Sequence, residues 1–319
     1  MTEQAVVDPA AATPPPVPPA TTPRSRRATS GARPLWLMWP NLVLLIVVIA
    51  IPFLIAVYIS FIDLDQYSLR RFFSAPFIAI DNYLEALATA NLLHSVWISV
   101  AFSLLTTLFA APIGVLAAMA LNTRFRGRAL VRSALLIPYV LPSFVTATLW
   151  RFILQPSGAG NQILGWFGIE HTQWLIGGNA FWALVLVDVW ASWPFLYMMA
   201  MAGLQNIPSE LFEAADIDGA TWRQKIRYVV LPQLRGQLLL GLLLSTLAHF
   251  NNFTLPFVLL GTPAPDAALT LPVNVFQTSF QVFRFGLGGA MAVISLVLML
   301  IPAVIYLRAS RLTANVGEE

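Results

Sequence analysis

The chain has 319 residues, 58% of them hydrophobic and only 10% charged, with a formal net charge of +3. Soluble domains carry about 25% charged residues, so this composition excludes an ordinary soluble domain and indicates a polytopic membrane protein. No cysteine is present, which excludes disulfides, thiolate nucleophiles and cysteine-based metal sites. The basic residues flank apolar runs, where membrane topology accounts for them without a nucleic-acid partner.

Residues 1–34 are rich in Ala, Pro and Thr and end in Arg24, Arg26, Arg27 and Arg33. Such a segment cannot bury a core and is predicted to be a disordered tail. The uncharged run 35–62 far exceeds the roughly 7–15 residue core of a signal peptide, so it reads as an uncleaved first membrane span. Five further runs approach the roughly 20 residues needed to cross a bilayer: 93–121, 134–150, 180–204, 237–261 and 287–307. The third is interrupted by Pro138 and Pro142 and closely flanked by Arg132 and Arg151. The last leaves a short C-terminal tail at 309–319.

With the N-terminus placed in the cytoplasm, the tail, the 122–133 loop, the 205–236 loop and the C-terminus hold 14 Lys and Arg residues. The three outer segments hold four: Arg70, Arg71, Arg151 and Arg284. This is a positive-inside bias that puts both termini in the cytoplasm. The outer loops carry Tyr67, Phe72, Phe73, Phe77, Trp166, Phe167 and Trp174. These aromatics suit either interfacial anchoring or the docking of an external protein.

Between the fourth and fifth spans lies a charge-dense stretch, 208–232. Pro208 and Ser209 open a short helix whose acids Glu210 and Glu213 suit the positive end of its dipole. Asp218-Gly219 ends it at a residue tolerant of positive φ. Thr221 and Gln224 form a capping box for a second helix carrying Trp222, Ile226 and Val229 on one face, and Pro232 is expected to stop or kink it. The expected product is a hairpin of two short helices, with Trp222 either packed on the membrane domain or offered to a partner. Without further information it could also be an amphipathic loop on the lipid surface.

Glu213-Ala214-Ala215, then Gly219, then Leu231-Pro232 resembles the EAA motif of membrane subunits of binding-protein-dependent ABC importers. Val229 stands where that family usually has isoleucine. Further along the chain, Asn82-Tyr83, Pro138/Pro142 with Trp150, Gly160-Asn161, Trp193-Pro194 and the run from His249 to Gly261 are similar to the carbohydrate-uptake class. The last run resembles the maltose-transporter larger-permease type. The resemblance covers about residues 35–308. It implies an all-α membrane protein of six transmembrane helices with a cytoplasmic EAA coupling hairpin at 208–232, in a bacterial plasma membrane. It also implies a second homologous permease subunit, two ATPase subunits and an extracytoplasmic solute-binding protein. Glu213, Ala214, Ala215, Asp218 and Gly219 would then meet, or shape contact with, the ATPase.

The chain's own chemistry agrees with a transport subunit and not an enzyme. A P-loop needs a lysine following glycine, and Lys225, the single lysine, sits between Gln224 and Ile226. ATP and magnesium are therefore expected on a partner, with no cofactor or metal in this chain. His94, His171 and His249 lack metal-ligand spacing. Polar groups inside apolar spans are costly and so point to function. Asp188 in the fourth span and His249 and Asn252 in the fifth lie at matched depths near mid-membrane, which suggests one shared cavity. The resemblance places sugar contacts on Asp188, Ser192 and Phe195 and on Ser245, His249 and Asn252. Asp188 and His249 stand where the family has amides, and Phe195 where it has tyrosine, so the bound sugar can differ. Phe195 or Trp190 could stack on a sugar ring. Alternatively, Asp188 and His249 satisfy each other structurally. The rival function is an ion-coupled secondary carrier using the same pair as a proton relay, and it leaves the hairpin without a role.

Overall fold

The computed structural model describes residues 39–88, 90–123, 125–169 and 172–315, with side chains to 308. The expected tail 1–34 lies outside the described residues. Contacts divide the chain after Ile51. The N-terminal unit holds α1 (Trp39–Leu45) and a π turn, Ile46–Ala50, with Leu44, Val48 and Ile49 exposed.

The larger unit begins at Pro52, inside α2 (Ile51–Ile59), and runs through α3 (Asp81–Ala88), the long α4 (Ala90–Ala120), α5 (Arg128–Leu135), α6 (Ile137–Val140), α7 (Ser143–Ile153) and α8 (Ala159–Trp166). It continues with α9 (Gly178–Leu204), α10 (Ser209–Ile217), α11 (Trp222–Lys225), α12 (Leu231–Phe250), α13 (Thr254–Leu260), α14 (Leu271–Phe276) and α15 (Phe285–Asn315). The fold is all-helical, as expected, with only two isolated β-bridges and no named strand among the described residues.

Among the described residues, five helical stretches are long and apolar enough to cross a membrane: Trp39–Ile59, Asn91–Ala120, Gly178–Leu204, Trp222–Phe250 and Phe285–Arg308. The third expected stretch, 134–150, is not one helix. Pro142 locks its own φ and drives Leu141 into an extended conformation, so α6 ends there and α7 starts afresh at Ser143. The fifth departs from expectation at both ends. Its helix stops at Phe250 and the chain turns through Asn251–Phe253 before α13, instead of running on to Gly261. At its start, Pro232 does not stop the helix. The preceding turn, Ile226–Val230, widens to π geometry, with Leu231 N–H bonded to the Ile226 carbonyl. A π turn absorbs the proline's missing donor and its clash with the carbonyl four residues back. The last helix runs on to Asn315, past the expected end at 307.

Helix α9 is central, packed on α4 and α12. The approach is close because of small residues. A Cβ on Gly114 would lie 2.7 Å from Tyr197 N, and one on Gly241 would lie 3.2 Å from a Leu196 methyl. Two apolar clusters sit at different levels along α9. One joins Phe102, Ala147, Leu184, Val187, Leu255 and Leu259; the other joins Val115, Tyr197, Met201, Leu204, Val230 and Leu234. Asp188 to Ser192 fall between them, so the polar site interrupts an otherwise continuous apolar core.

At the end opposite the hairpin, buried amides tie the loops. Asn82 Nδ2 donates to the Ser60 and Ile62 carbonyls at 3.0 and 2.9 Å. Asn161 donates to the Pro156 and Thr172 carbonyls and accepts from Trp174 Nε1 at 3.0 Å. Trp174 is half-buried and packs on the first cluster. Tyr67, Phe73, Phe77, Trp166 and Phe167 are exposed.

Glu85 on α3 and Arg284 beside α15 form a two-pronged ion pair, with Nη2 donating to Oε2 at 2.7 Å. The Arg284 hydrogen bonds hold the Glu85 carboxyl below its ordinary value, against partial desolvation. A depressed folded-state pKa stabilises above the unfolded value and loses that contribution as pH falls through the folded one. Both side chains are about two-fifths exposed, which keeps the pair on the ~0–1 kcal/mol scale of surface ion pairs. Glu85→Gln should therefore lower the unfolding temperature slightly at pH 7. The difference from the unsubstituted chain should close as pH falls below the ordinary glutamate range, and a pH series of thermal unfolding in detergent checks it.

Candidate functional site

The site grows from the break in α12. A helix that ends inside an apolar bundle leaves backbone groups needing partners, which is tolerated where the irregular backbone lines a cavity or is buried in protein. Here Asn251 N bonds to the Leu247 carbonyl and Asn252 N to the His249 carbonyl, both at 3.1 Å. The Asn252 side-chain oxygen accepts from Leu255 N at 3.3 Å and so helps start α13. Arg151 of α7 donates to the Val258 carbonyl at 3.1 Å, holding α13 against α7.

The turn opens on a cavity of about 400 Å³ between α6–α7, α9 and the α12–α13 break. Asp188, Ser192, His249 and Asn252 line it, together with Tyr139 and Thr146. Asp188 and His249 are 4% and 5% exposed, and His249 Nδ1 lies 2.7 Å from Asp188 Oδ2. Ser245, one turn earlier on α12, lies 3.0 Å from His249 Nε2. Asn252 Nδ2 reaches Asp188 Oδ1 at 3.4 Å. Four groups from two helices and a turn thus form one connected polar cluster, in which His249 stands against Asp188 Oδ2 at close range without an aligned hydrogen bond.

The expected shared cavity is present, and the structural pairing of Asp188 with His249 is present with it. Two of the six expected contacts stand elsewhere. Ser245 is buried outside the lining, one turn along the same face of α12, where it bonds to His249. Phe195 is also outside it and stacks on Tyr139 at 6.0 Å between centroids. Trp190 packs edge-on to Trp150 at 5.6 Å instead of facing the cavity. Ser192 lines the cavity while its hydroxyl donates to the Asp188 carbonyl at 2.6 Å. Sequence reasoning missed Tyr139 and Thr146. The Thr146 hydroxyl is buried without a hydrogen-bond partner, and its only sequence signal was proximity to Pro142.

The hairpin matches its sequence closely. Pro208 stands at the N-cap of α10 and Glu210 in its first turn. Gly219 adopts φ +70°, with Gly219 N bonded to the Asp216 carbonyl at 3.1 Å and Ala220 N to the Ala215 carbonyl at 2.9 Å. This is a Schellman ending. Thr221 and Gln224 form the reciprocal capping box. Lys225 pairs with Asp216 across the hairpin. Its second helix is not short, because it continues through the π turn into α12. Glu213, Ala214, Asp218 and Gly219 are exposed and Ala215 is half-buried. Trp222 divides its surface. It is 57% exposed, yet it lines a crevice with Phe212, Met119 and Leu204 at the ends of α4 and α9.

A helical bundle of this hydrophobicity, with a polar cavity at a helix break and a charged hairpin leading straight into the cavity-lining helix, defines a multi-pass membrane transport subunit. The chain belongs to the family of binding-protein-dependent transport system inner membrane components, whose pattern matches residues 110–313. It is 32% identical over 238 residues to the trehalose/maltose transport system permease protein MalF of Thermococcus litoralis, covering 74% of this chain and 80% of that one. It is 31% identical to the sulfoquinovosyl glycerol transport system permease protein SmoG of Agrobacterium fabrum, covering 86% and 89%. It is also 31% identical to the sn-glycerol-3-phosphate transport system permease protein UgpA of Brucella abortus, covering 84% and 90%. The fold is similar to a chain of a bacterial ABC transporter that imports the acidic polysaccharide alginate, with TM-score 0.75, 20% identity and coverage of 87% and 96%. The resemblance read from the hairpin and the apolar spans is thereby borne out.

Proposed function

We propose that this chain is the membrane-spanning subunit of an ATP-driven importer that passes a sugar, a disaccharide or short oligosaccharide, into the bacterial cytoplasm. The observation carrying this reading is the cavity at the α12 break, where Asp188, His249 and Asn252 present hydrogen-bonding groups inside an apolar bundle. The names of the relatives, which include trehalose/maltose and sn-glycerol-3-phosphate systems, support the substrate class. Substrate would touch Asp188, Ser192, His249 and Asn252, with Tyr139 and Thr146 added from α6 and α7. Ser245 and Phe195 would act from outside the lining, by holding His249 and Tyr139.

Six crossings follow if α5 to α7 together make the third, with both termini and the hairpin cytoplasmic. Glu213, Ala214, Ala215, Asp218 and Gly219 would then face an ATPase that holds ATP and magnesium. A second permease, two ATPase copies and an external binding protein complete the assembly. The solved alginate transporter in complex with a periplasmic protein offers a parallel for the last. ATP and loaded binding protein would favour an outward-open state, and hydrolysis would restore the inward one. The hairpin would move the cavity wall directly, because α11, the π turn and α12 form one continuous helical stretch that ends at Phe250, next to His249.

Uptake of labelled sugars by vesicles containing the whole assembly tests this. Uptake requiring ATP and binding protein is expected. Uptake driven by a proton gradient alone would overturn the importer and make Asp188 and His249 a proton path.

A further inference from the structure

The relatives' names leave the charge of the substrate open, since they span a disaccharide and a phosphate ester. The cavity itself bears on it. Among the described residues lining it there is one carboxylate, Asp188, one imidazole, His249, and no lysine or arginine. The imidazole is engaged at both nitrogens, by Asp188 at 2.7 Å and by Ser245 at 3.0 Å. Protonated, it is neutralised by the carboxylate; unprotonated, it brings no charge. This wall therefore has no free cation whenever Asp188 is ionised.

A phosphate, sulfonate or uronate entering such a wall would shed its hydration, find no counter-charge and face Asp188. Burial of an unpaired ion is strongly unfavourable. A hydroxyl-bearing solute meets the opposite situation. Asp188 Oδ1 is held only by a long contact from Asn252, and the Thr146 hydroxyl is buried and unpartnered. Both can accept from a hydroxyl, and Thr146 can also donate.

We propose that this wall selects uncharged polyhydroxylated solutes over anionic ones, and that Asp188 is the specificity-determining residue. This rests on the importer reading and specifies the substrate class of its cavity. The test uses the complete purified transporter and two probe pairs, trehalose with trehalose 6-phosphate and maltose with maltose 6′-phosphate, in equilibrium dialysis. In at least one pair the neutral sugar is expected to bind tenfold or more tighter than its phosphate ester. Asp188→Asn should narrow that gap threefold or more, and Asp188→Glu should keep it. Equal affinities in the unsubstituted transporter, or a gap untouched by Asp188→Asn, overturn charge selection and leave the importer reading standing. If Asp188→Asn does not assemble, the unsubstituted ratio and its retention in Asp188→Glu still decide. Should none of the four probes bind, and ATP-driven sugar uptake also fail, the sugar reading underneath falls with the proposal.

Discussion

Asp188→Ala is expected to destabilise the protein by ~1–3 kcal/mol, the scale seen when a buried hydrogen-bonding group loses its partner. Both side chains are about 95% buried and share a 2.7 Å contact. His249 would keep only Ser245, while Asn252 would lose its contact with Asp188. The penalty comes from the orphaned group more than from the missing attraction, so removing both should cost less than removing one. The double replacement Asp188→Asn with His249→Asn should recover much of the loss, because two amides can bond to each other without charge. Thermal unfolding of the detergent-solubilised chain measures all three. A single variant as stable as the parent would show that the pair does not hold α9 to the α12 break.

Gly219→Pro is expected to reduce ATP-driven uptake tenfold or more while leaving membrane insertion intact. Proline fixes φ near −65°, whereas position 219 sits at +70°. Proline also removes the N–H that bonds to the Asp216 carbonyl. The turn between α10 and α11 would have to reopen, shifting Glu213, Ala214 and Ala215 relative to α12. The cavity-lining residues, within 138–192 and 248–255, lie on either side of the hairpin in the sequence and take part in none of these bonds. The expected signature is ATP hydrolysis that no longer responds to loaded binding protein, at normal membrane abundance. Normal uptake by this variant would remove the coupling role assigned to the hairpin. Gly219→Ala should fall between, since a left-handed conformation costs a non-glycine residue roughly 1–2 kcal/mol.

The hairpin was the most legible part of the chain because its determinants are local. Asp218-Gly219 and the Thr221/Gln224 box act on their own backbone, and both appear as expected. Four of the spans were legible from length and hydrophobicity, which need no knowledge of neighbours. The stretch 134–150 was harder, since Pro138 and Pro142 signalled an interruption without saying whether the helix would bend or end. Pro232 shows the converse. A proline that should stop a helix is passed through a π turn, because the helical stretch it lies in is held by packing of Val230 and Leu234 against α9.

Within the site, sequence determined which polar residues enter the apolar spans, and burial cost made Asp188, His249 and Asn252 conspicuous. Tertiary structure decided which of them face the cavity. The helix break at Asn251–Phe253 brings Asn252 to Asp188, and the one-turn spacing on α12 puts Ser245 against His249. Thr146 became a candidate only when α7 was seen packed against α13 and α9, leaving its hydroxyl in the wall without a partner. Composition and local turns are set by chemistry within a few residues. The direction a buried side chain faces depends on helices far apart in the chain, and it exists only once they have packed.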